Sequence, residues 1–113
     1  MYFKNSKNTA SFIGHLGNDV KTTDLEGGKK VSKFEIATTK VFGDKENKQE
    51  ETVWIPCEIW GDHPVLEYLK KGKQVSVDAH YSNAKKGEGE EAKYYHSFKV
   101  ENIILLGGAK SEQ

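Results

Sequence analysis

The segment ETVWIPCEIWGD, residues 51–62, carries both tryptophans of this 113-residue chain and decides its fold. Successive side chains of an extended strand point to opposite faces. The aliphatic residues and the cysteine of this segment therefore share one face, and the other face carries Trp54, Pro56, Glu58 and Trp60. We expect a strand that fills the core of a small β-domain with its first face and presents two indole rings on its second.

The composition is that of one domain with a single apolar core. Charged residues make up 30% of the chain, but 17 basic and 17 acidic residues cancel to a formal net charge of zero. All of the basic residues are lysines. Lysine is a flexible point charge and lacks the rigid fork with which arginine binds guanine edges. A nucleic-acid ligand would therefore be held through its backbone charge and its base faces rather than through its sequence.

Five segments alternate apolar and polar residues with the two-residue period of a half-buried strand. They cover residues 9–17, 31–42, 52–60, 73–81 and 94–108, and the last changes phase near Asn102. One helix is predicted between the third and fourth strands, with Asp62 as its N-cap, Pro64 in its first turn and Gly72 at its end. This order predicts an all-β OB-fold, a five-stranded barrel in which the helix closes one end.

We predict one OB-fold domain over residues 1–107 and a disordered, polar tail over residues 108–113. A hairpin turn is expected at residues 24–30, and longer charged loops at residues 43–51 and 83–93. The sequence has no secretory pattern and no apolar run of membrane-spanning length. It is therefore expected to be cytoplasmic, with no membrane partner.

Catalysis has little support in the sequence. The four histidines lie far apart without metal-ligand spacing, and there is neither a Cys-x-x-Cys pair nor a glycine-rich phosphate loop leading into a helix. The single cysteine, Cys57, falls among the aliphatic positions of its strand and is expected to be a buried structural thiol. We predict that the chain is not an enzyme and holds no metal and no cofactor.

Aromatic residues and lysines occur together on the predicted strands and loops. A single-strand binder needs this combination, because unpaired bases stack on flat rings, each worth about 1–3 kcal/mol, while cations follow the phosphates. On this pattern alone, tryptophans buried in a core or an interface are the competing interpretation. The predicted DNA-binding residues are Phe42, Trp54, Trp60, Lys33, Lys40, Lys73, Lys85 and Lys86.

Five stretches together resemble the bacterial single-stranded DNA-binding protein family. They are FIGHLGNDV (12–20), VSKFEIAT (31–38), ETVWIPCEIWGD (51–62), YLKKGKQVSVDA (68–79) and VENIILLGG (100–108). The resemblance extends over about residues 7–107, in order and at matching spacing. It implies an OB-fold, usually assembled as a homotetramer, that coats single-stranded DNA without sequence preference during replication, recombination and repair.

Position by position, the resemblance implies that Trp54 and Trp60 are base-stacking platforms, with Phe42 where the family commonly has a tryptophan. A further platform of the family, in the loop between the fourth and fifth strands, falls near Lys85 and Lys86. This chain has no aromatic residue there and carries acidic residues instead, so a weak contribution is expected from that loop; the residues are Glu88, Glu90 and Glu91.

Other positions depart from the family pattern. Asp19 is followed by Val20 without the usual proline, and Pro56 stands where a basic or polar residue is common, which removes a ladder N–H. The acidic, Pro-Phe-containing C-terminal peptide through which the family recruits replication and repair proteins does not occur in this sequence, and such proteins stay open as partners.

The expected partners are single-stranded DNA and further copies of the chain. The first strand is flat and uncharged enough to pair with its own copy across a two-fold axis, which predicts an oligomer. The resemblance implies a homotetramer, and the strand itself leaves a homodimer open. The alternative function is that of a primosomal, plasmid or phage accessory protein that uses the same face chiefly to hold a protein partner. Binding of RNA is a third possibility.

Overall fold

The structure is a computed structural model that describes residues 4–87 and 89–107, without the side chains of Lys86 and Glu91. The predicted tail, 108–113, and Glu88 lie outside these residues. Within the described residues the structure is all-β, with short 3₁₀ helices and no α-helix. The strands are β1 (Ala10–Leu16), β2 (Lys21–Asp24), β3 (Lys30–Phe42), β4 (Gln49–Trp60), β5 (Gln74–Lys86) and β6 (Lys93–Leu105).

Five of these strands close into a barrel. Around the ring, β1 pairs antiparallel with β5, β5 antiparallel with β6, β6 parallel with β4, β4 antiparallel with β3, and β3 antiparallel with β1. The remaining strand, β2, pairs only with β3 and forms the predicted hairpin with it. The predicted five-stranded barrel is confirmed. The sequence did not reveal β2, because its four residues, KTTD, are all exposed and include no apolar side chain.

The inner faces of the strands form one core, as the alternation predicted. In β4, Ile55, Cys57 and Ile59 are all buried. Val53 has the same phase but is exposed. It is opposite Thr38 on β3, and β1 pairs with β3 only up to Ala37, so β3 and β4 extend beyond the barrel at this point. Burial raises the pKa of the Cys57 thiol to about 12, so the thiol stays neutral and serves as a small core residue.

Closure of the barrel depends on Gly14. A Cβ atom at this position would lie 2.4 Å from the carbonyl oxygen of Ala37 and 2.5 Å from Cγ2 of Ile36. Neither contact is sterically possible without a shift of β3, so only glycine lets β1 lie this close to it. The two strands form their ladder directly afterwards, at His15 and Leu16.

A helix lies between β4 and β5, as predicted, but its N-cap is not the predicted residue. The segment is a 3₁₀ helix over Pro64–Tyr68, and its N-cap is His63, whose Nδ1 accepts a hydrogen bond from the N–H of Val65 at 3.1 Å. Asp62, the predicted cap, instead forms an exposed ion pair with Lys30 at 3.2 Å.

The helix ends early because the residues after Tyr68 bond to the connection between β1 and β2. The carbonyl of Leu69 accepts from the N–H of Val20 at 3.1 Å, and the N–H of Lys71 donates to Oδ1 of Asp19 at 2.7 Å. A proline in place of Val20 would lack this N–H. The segment still packs against the barrel core as predicted, since Val65 and Leu69 are both buried there.

The change of phase predicted near Asn102 is a β-bulge. The β5–β6 register passes from Asp78 opposite Asn102 to Ala79 opposite Val100, so Glu101 is the extra residue. The bulge allows both Val100 and Ile103 to face the core.

Two hairpins extend beyond the barrel as arms. In the β3–β4 arm the pairing continues to Phe42 opposite Gln49, and in the β5–β6 arm to Lys86 opposite Lys93. Much of the two predicted charged loops is therefore strand, and only short turns remain at the tips. The arms border the outer surface of β3 and β4.

Candidate nucleic-acid interface

The outer face of β3 and β4 presents a row of four cross-strand pairs. They are Val31–Trp60, Lys33–Glu58, Glu35–Pro56 and Ala37–Trp54. The tryptophans stand at the two ends of the row, about 20 Å apart along a strand that rises about 3.3 Å per residue. We call this row the groove face.

The outer surface of β6 and the β5–β6 arm turn the groove face into a groove. Its larger part has a volume of about 460 Å³ and is lined by residues that include Trp60, Tyr95 and Lys99. A smaller part of about 250 Å³ continues past Pro56. The two parts share Lys33, Glu58, Tyr95 and Ser97. The groove therefore follows β4 from Trp60 in the direction of Trp54.

Pro56 lies where β4 and β6 separate. The parallel ladder between these strands consists of two pairs and starts at Cys57, directly after the proline, which has no N–H to donate. The smaller part of the groove lies at this point, lined on the β6 side by Tyr95, His96 and Ser97. The proline thus coincides with an opening in the sheet surface.

The indole of Trp60 is half-exposed and is contacted by a carboxylate at its edge and by an ammonium group over one face. Its Nε1 donates a hydrogen bond to Oε1 of Glu58 at 3.0 Å, and Nζ of Lys99 lies 5.4 Å from the ring centroid. The ring also lines a second hollow, together with Lys29 and Lys30. Such contacts restrict the ring while leaving aromatic surface open for stacking.

The indole of Trp54 lies over Gly17, directly after β1. A Cβ atom at Gly17 would be 2.2 Å from Cζ3 of Trp54, yet 54% of the tryptophan surface remains exposed. The glycine therefore seats this ring on the barrel surface without burying it.

Two lysines, Lys33 and Lys99, line the groove together with two carboxylates, Glu35 and Glu58. Lys33 is the antiparallel partner of Glu58, and Lys99 is its parallel partner on the other side. The ion pairs found among the described residues, Lys30–Asp62 and His80–Glu101, include neither of these two lysines. Lys33 and Lys99 thus lie on the two sides of Glu58, in a groove that Trp60 and Tyr95 also line.

The predicted site residues do not all lie in the groove. Trp60 and Lys33 line it, and Trp54 stands at the far end of the same face. Phe42 and Lys40 have the inner-face phase of β3, opposite to Trp54, and lie on the β3–β4 arm, where Nζ of Lys40 is 5.4 Å from the Phe42 ring centroid.

The other three predicted lysines are dispersed. Lys85 lies on the β5–β6 arm opposite Tyr94, with the phase that faces away from the groove. Lys86 ends β5, and its side chain lies outside the described residues. Lys73 lines a separate shallow pocket with His15 and Gly107, which shares no residue with the groove.

Sequence reasoning missed two groove residues, Tyr95 and Lys99, both on β6. We expected no aromatic residue in the loop between the fourth and fifth predicted strands, and the tip of that loop has none. However, Tyr95, near the start of β6, lines both parts of the groove. The available signal was the doublet Tyr94-Tyr95 at the start of the fifth predicted strand. Its position opposite Ala84 and Lys85 required the register of the hairpin.

Two kinds of site are not found among the residues that the structure describes. No three histidine, cysteine or carboxylate side chains come together there in a way that could hold a metal ion. No helix in that part of the chain has the length and apolar character needed to cross a membrane.

The model of the Single-strand binding protein family matches residues 7–106. The chain belongs to this family. Membership in a family of single-strand binding proteins agrees with the prediction that the chain is not an enzyme, and confirms the resemblance that the sequence motifs indicated.

Among curated relatives, the chain is 31% identical over 109 residues to single-stranded DNA-binding protein 1 of Chlorobaculum tepidum. It is 30% identical over 105 residues to the single-stranded DNA-binding protein of Xylella fastidiosa and 32% identical to that of Xanthomonas campestris. The matches cover 92, 89 and 89% of this chain and 67, 64 and 61% of the relatives. The chain thus spans a little under two thirds of the length of most of these relatives.

The fold also matches solved structures. A Plasmodium falciparum SSB in complex with single-stranded DNA superposes with a TM-score of 0.75 at 26% identity, covering 94% of this chain and 99% of that one. A deletion mutant of the Thermus aquaticus single-stranded DNA binding protein superposes with a TM-score of 0.76 at 20% identity, covering 90 and 51%. The predicted OB-fold of this family member is therefore confirmed.

The seat of Trp54 on Gly17 predicts a specific coupling between the two residues. We expect Gly17→Ala to lower the free energy of unfolding by about 1 kcal/mol, because the added methyl group displaces the indole. In a Trp54→Ala background the same substitution should cost nothing further. Urea denaturation of the four proteins of this cycle measures both values, and equal losses in the two backgrounds would contradict the contact.

Proposed function

We propose that this family member binds single-stranded DNA with bases stacked on Trp54 and Trp60 and with phosphates neutralised by lysines, Lys33 and Lys99 among them. The observation that carries the proposal is the groove face, where two half-exposed indoles stand on one outer surface together with Lys33. Core residues of that size would be buried. The fold similarity to an SSB complex with single-stranded DNA supports the ligand.

A DNA strand that follows the groove meets further candidate contacts at its ends. Tyr95 offers a third ring inside the groove. Beyond it we propose that Phe42 and Lys40 on the β3–β4 arm, Lys85 and Lys86 on the β5–β6 arm, and Lys73 contact the flanking nucleotides. Since these groups lie outside the groove, they contribute where the strand passes over an arm or around the barrel.

The proposed binding tolerates many sequences, because every base has a face that can stack and the cations of the chain engage phosphate. With no arginine and no net charge, the electrostatic part of the affinity is modest and its salt dependence shallow. We propose that this activity serves DNA replication, recombination or repair.

We further propose that the chain assembles as a homotetramer or a homodimer through β1. Within one protomer β1 pairs with β3 at His15 and Leu16, and no strand among the described residues pairs with the edge of residues 10–14 on that side. Ile13 and Ile104 are 59 and 52% exposed and are both opposite Ser76 on β5. An open edge beside exposed apolar side chains favours pairing with a second copy.

Truncation of the tryptophans tests the stacking platforms. We expect Trp54→Ala and Trp60→Ala each to weaken oligo-dT binding by about 1–3 kcal/mol, with far less loss of stability than the roughly 3–5 kcal/mol of a core tryptophan. Tyr68→Ala, which removes an equally exposed ring on the 3₁₀ helix, is the control. Binding is followed by tryptophan emission at low salt. Unchanged emission of the parent protein at micromolar concentration would rule out stacking.

Salt dependence tests the lysines. We expect Lys33→Gln to reduce the slope of log K against log salt by about 0.7, the value for one phosphate contact on a single strand. Lys70→Gln, an exposed lysine outside the groove, should leave the slope unchanged. Equal slopes for the parent protein and Lys33→Gln would show that Lys33 does not contact phosphate. A reduced slope for Lys73→Gln would show that the DNA also reaches the separate pocket that Lys73 lines.

The assembly is tested by light scattering coupled to size-exclusion chromatography. We expect the parent protein to elute as a dimer or tetramer at micromolar concentration, and Ile13→Lys to reduce its mass because the lysine places charge on the apolar surface. Tyr68→Lys is the control, with the same exposure elsewhere on the barrel. A monomeric parent, or an equal effect of the two substitutions, would contradict an interface at β1.

A further inference from the structure

Glu58 is an unusual residue for the centre of a groove that takes a polyanion. It is half-buried, lines both parts of the groove, and belongs to the same row as the two tryptophans. Its Oε1 accepts the hydrogen bond from Nε1 of Trp60 at 3.0 Å. No contact to its Oε2 is found among the described residues, so that oxygen retains its capacity to accept hydrogen bonds.

The carboxylate is fixed in position and its charge is balanced locally. The indole N–H holds one oxygen, and Lys33 and Lys99 are its register neighbours on the two adjacent strands. These lysines reduce the repulsion between Glu58 and a phosphate backbone. The carboxylate also lies at the edge of the Trp60 ring, the place that the edge of a neighbouring base reaches when bases stack along the groove.

A carboxylate at this place distinguishes bases by their hydrogen-bond donors. Guanine presents two adjacent donors, N1–H and the N2 amine, on its Watson–Crick edge, and they match the two oxygens of a carboxylate. Thymine presents a single N3–H between two carbonyl oxygens, which a carboxylate repels. Adenine and cytosine each offer one amine beside a ring-nitrogen acceptor. Proteins read unpaired bases through such edges.

We propose that Glu58 makes one position of the groove selective, favouring guanine over thymine at the base beside Trp60. The proposal rests on the proposed single-stranded DNA binding and adds to it a preference that the lysines do not provide. Stacking on the tryptophans stays tolerant of sequence, and the selectivity is confined to this one position.

The test is a competition assay with oligonucleotides of about 16 nucleotides, the upper end of the site size of one OB-fold. A fluorescein-labelled oligo-dT is the probe, and its polarisation reports displacement by all-thymine competitors or by competitors with one central guanine. A single guanine avoids quadruplexes, and sliding of the strand brings it to Glu58. We expect the guanine competitor to bind about tenfold more tightly, since a bidentate base contact discriminates by about this factor or more.

Two substitutions separate base selectivity from a structural role of Glu58. Glu58→Gln keeps an oxygen that accepts the Trp60 N–H but replaces the other acceptor by a donor, so the guanine preference should disappear while oligo-dT binding is kept or strengthened. Glu35→Gln removes the same charge from the neighbouring pair of the groove face and should keep the preference. Inosine, which lacks the N2 amine, should fall between guanine and thymine.

The outcomes are distinct. The selectivity is overturned if the parent protein binds all competitors with equal affinity. It is also overturned if Glu35→Gln loses the guanine preference as much as Glu58→Gln does. Both results leave the proposed function standing. An equal change for every competitor in Glu58→Gln assigns the residue to charge balance and also overturns it. If the labelled oligo-dT does not bind the protein and no competitor binds either, both the proposed function and the selectivity are overturned.

Discussion

The close approach of β1 to β3, and of the residue directly after β1 to Trp54 on β4, is the contact on which the barrel and its groove face both depend. Gly14 allows it at the seam, where any side chain would strike the backbone of Ala37. Three residues later, Gly17 leaves the space in which the indole of Trp54 rests. The segment Gly-His-Leu-Gly therefore performs two tasks with its glycines: the first closes the barrel, and the second positions a ring on the outside.

The groove combines three chemistries on one surface. In the proposed complex, aromatic rings would supply sequence-tolerant stacking, lysines attraction to phosphate, and the Glu58 carboxylate directional acceptors. Their proximity follows from the register of three strands, since Lys33, Glu58 and Lys99 occupy neighbouring positions on β3, β4 and β6. Like the whole chain, the groove has no excess of formal charge, because Glu35 and Glu58 line it together with Lys33 and Lys99.

Much of the fold could be predicted from the sequence because hydrophobic alternation is a local signal. The buried phase of β4, its exposed tryptophans and the change of phase at the bulge of Glu101 all follow from the spacing of apolar residues along one strand. The type of the short helix could not be predicted. Its capping residues and apolar stripe suit an α-helix, but the hydrogen bonds that Leu69 and Lys71 form with the distant residues Val20 and Asp19 end it after one turn and a half.

The composition of the groove was less accessible, because it depends on which strands are neighbours and in which register. Tyr95 and Lys99 come to the groove from a strand some forty residues after Trp54 and Trp60, through a parallel ladder of only two pairs. The faces of the arms are also set by register, which separates Phe42 from Trp54 although they lie on paired strands. A pattern within one segment does not contain this information.

The two-residue period of β4 also limits how this strand can change over evolution. From Trp54 to Trp60 its odd positions belong to the core and its even positions to the groove face, so a substitution at an even position there can alter the groove face without disturbing the barrel. An insertion or deletion of one residue between Trp54 and Trp60 would exchange the two sets and drive an indole into the core. Within this stretch, new binding properties can arise by replacement of side chains but not by a change of length.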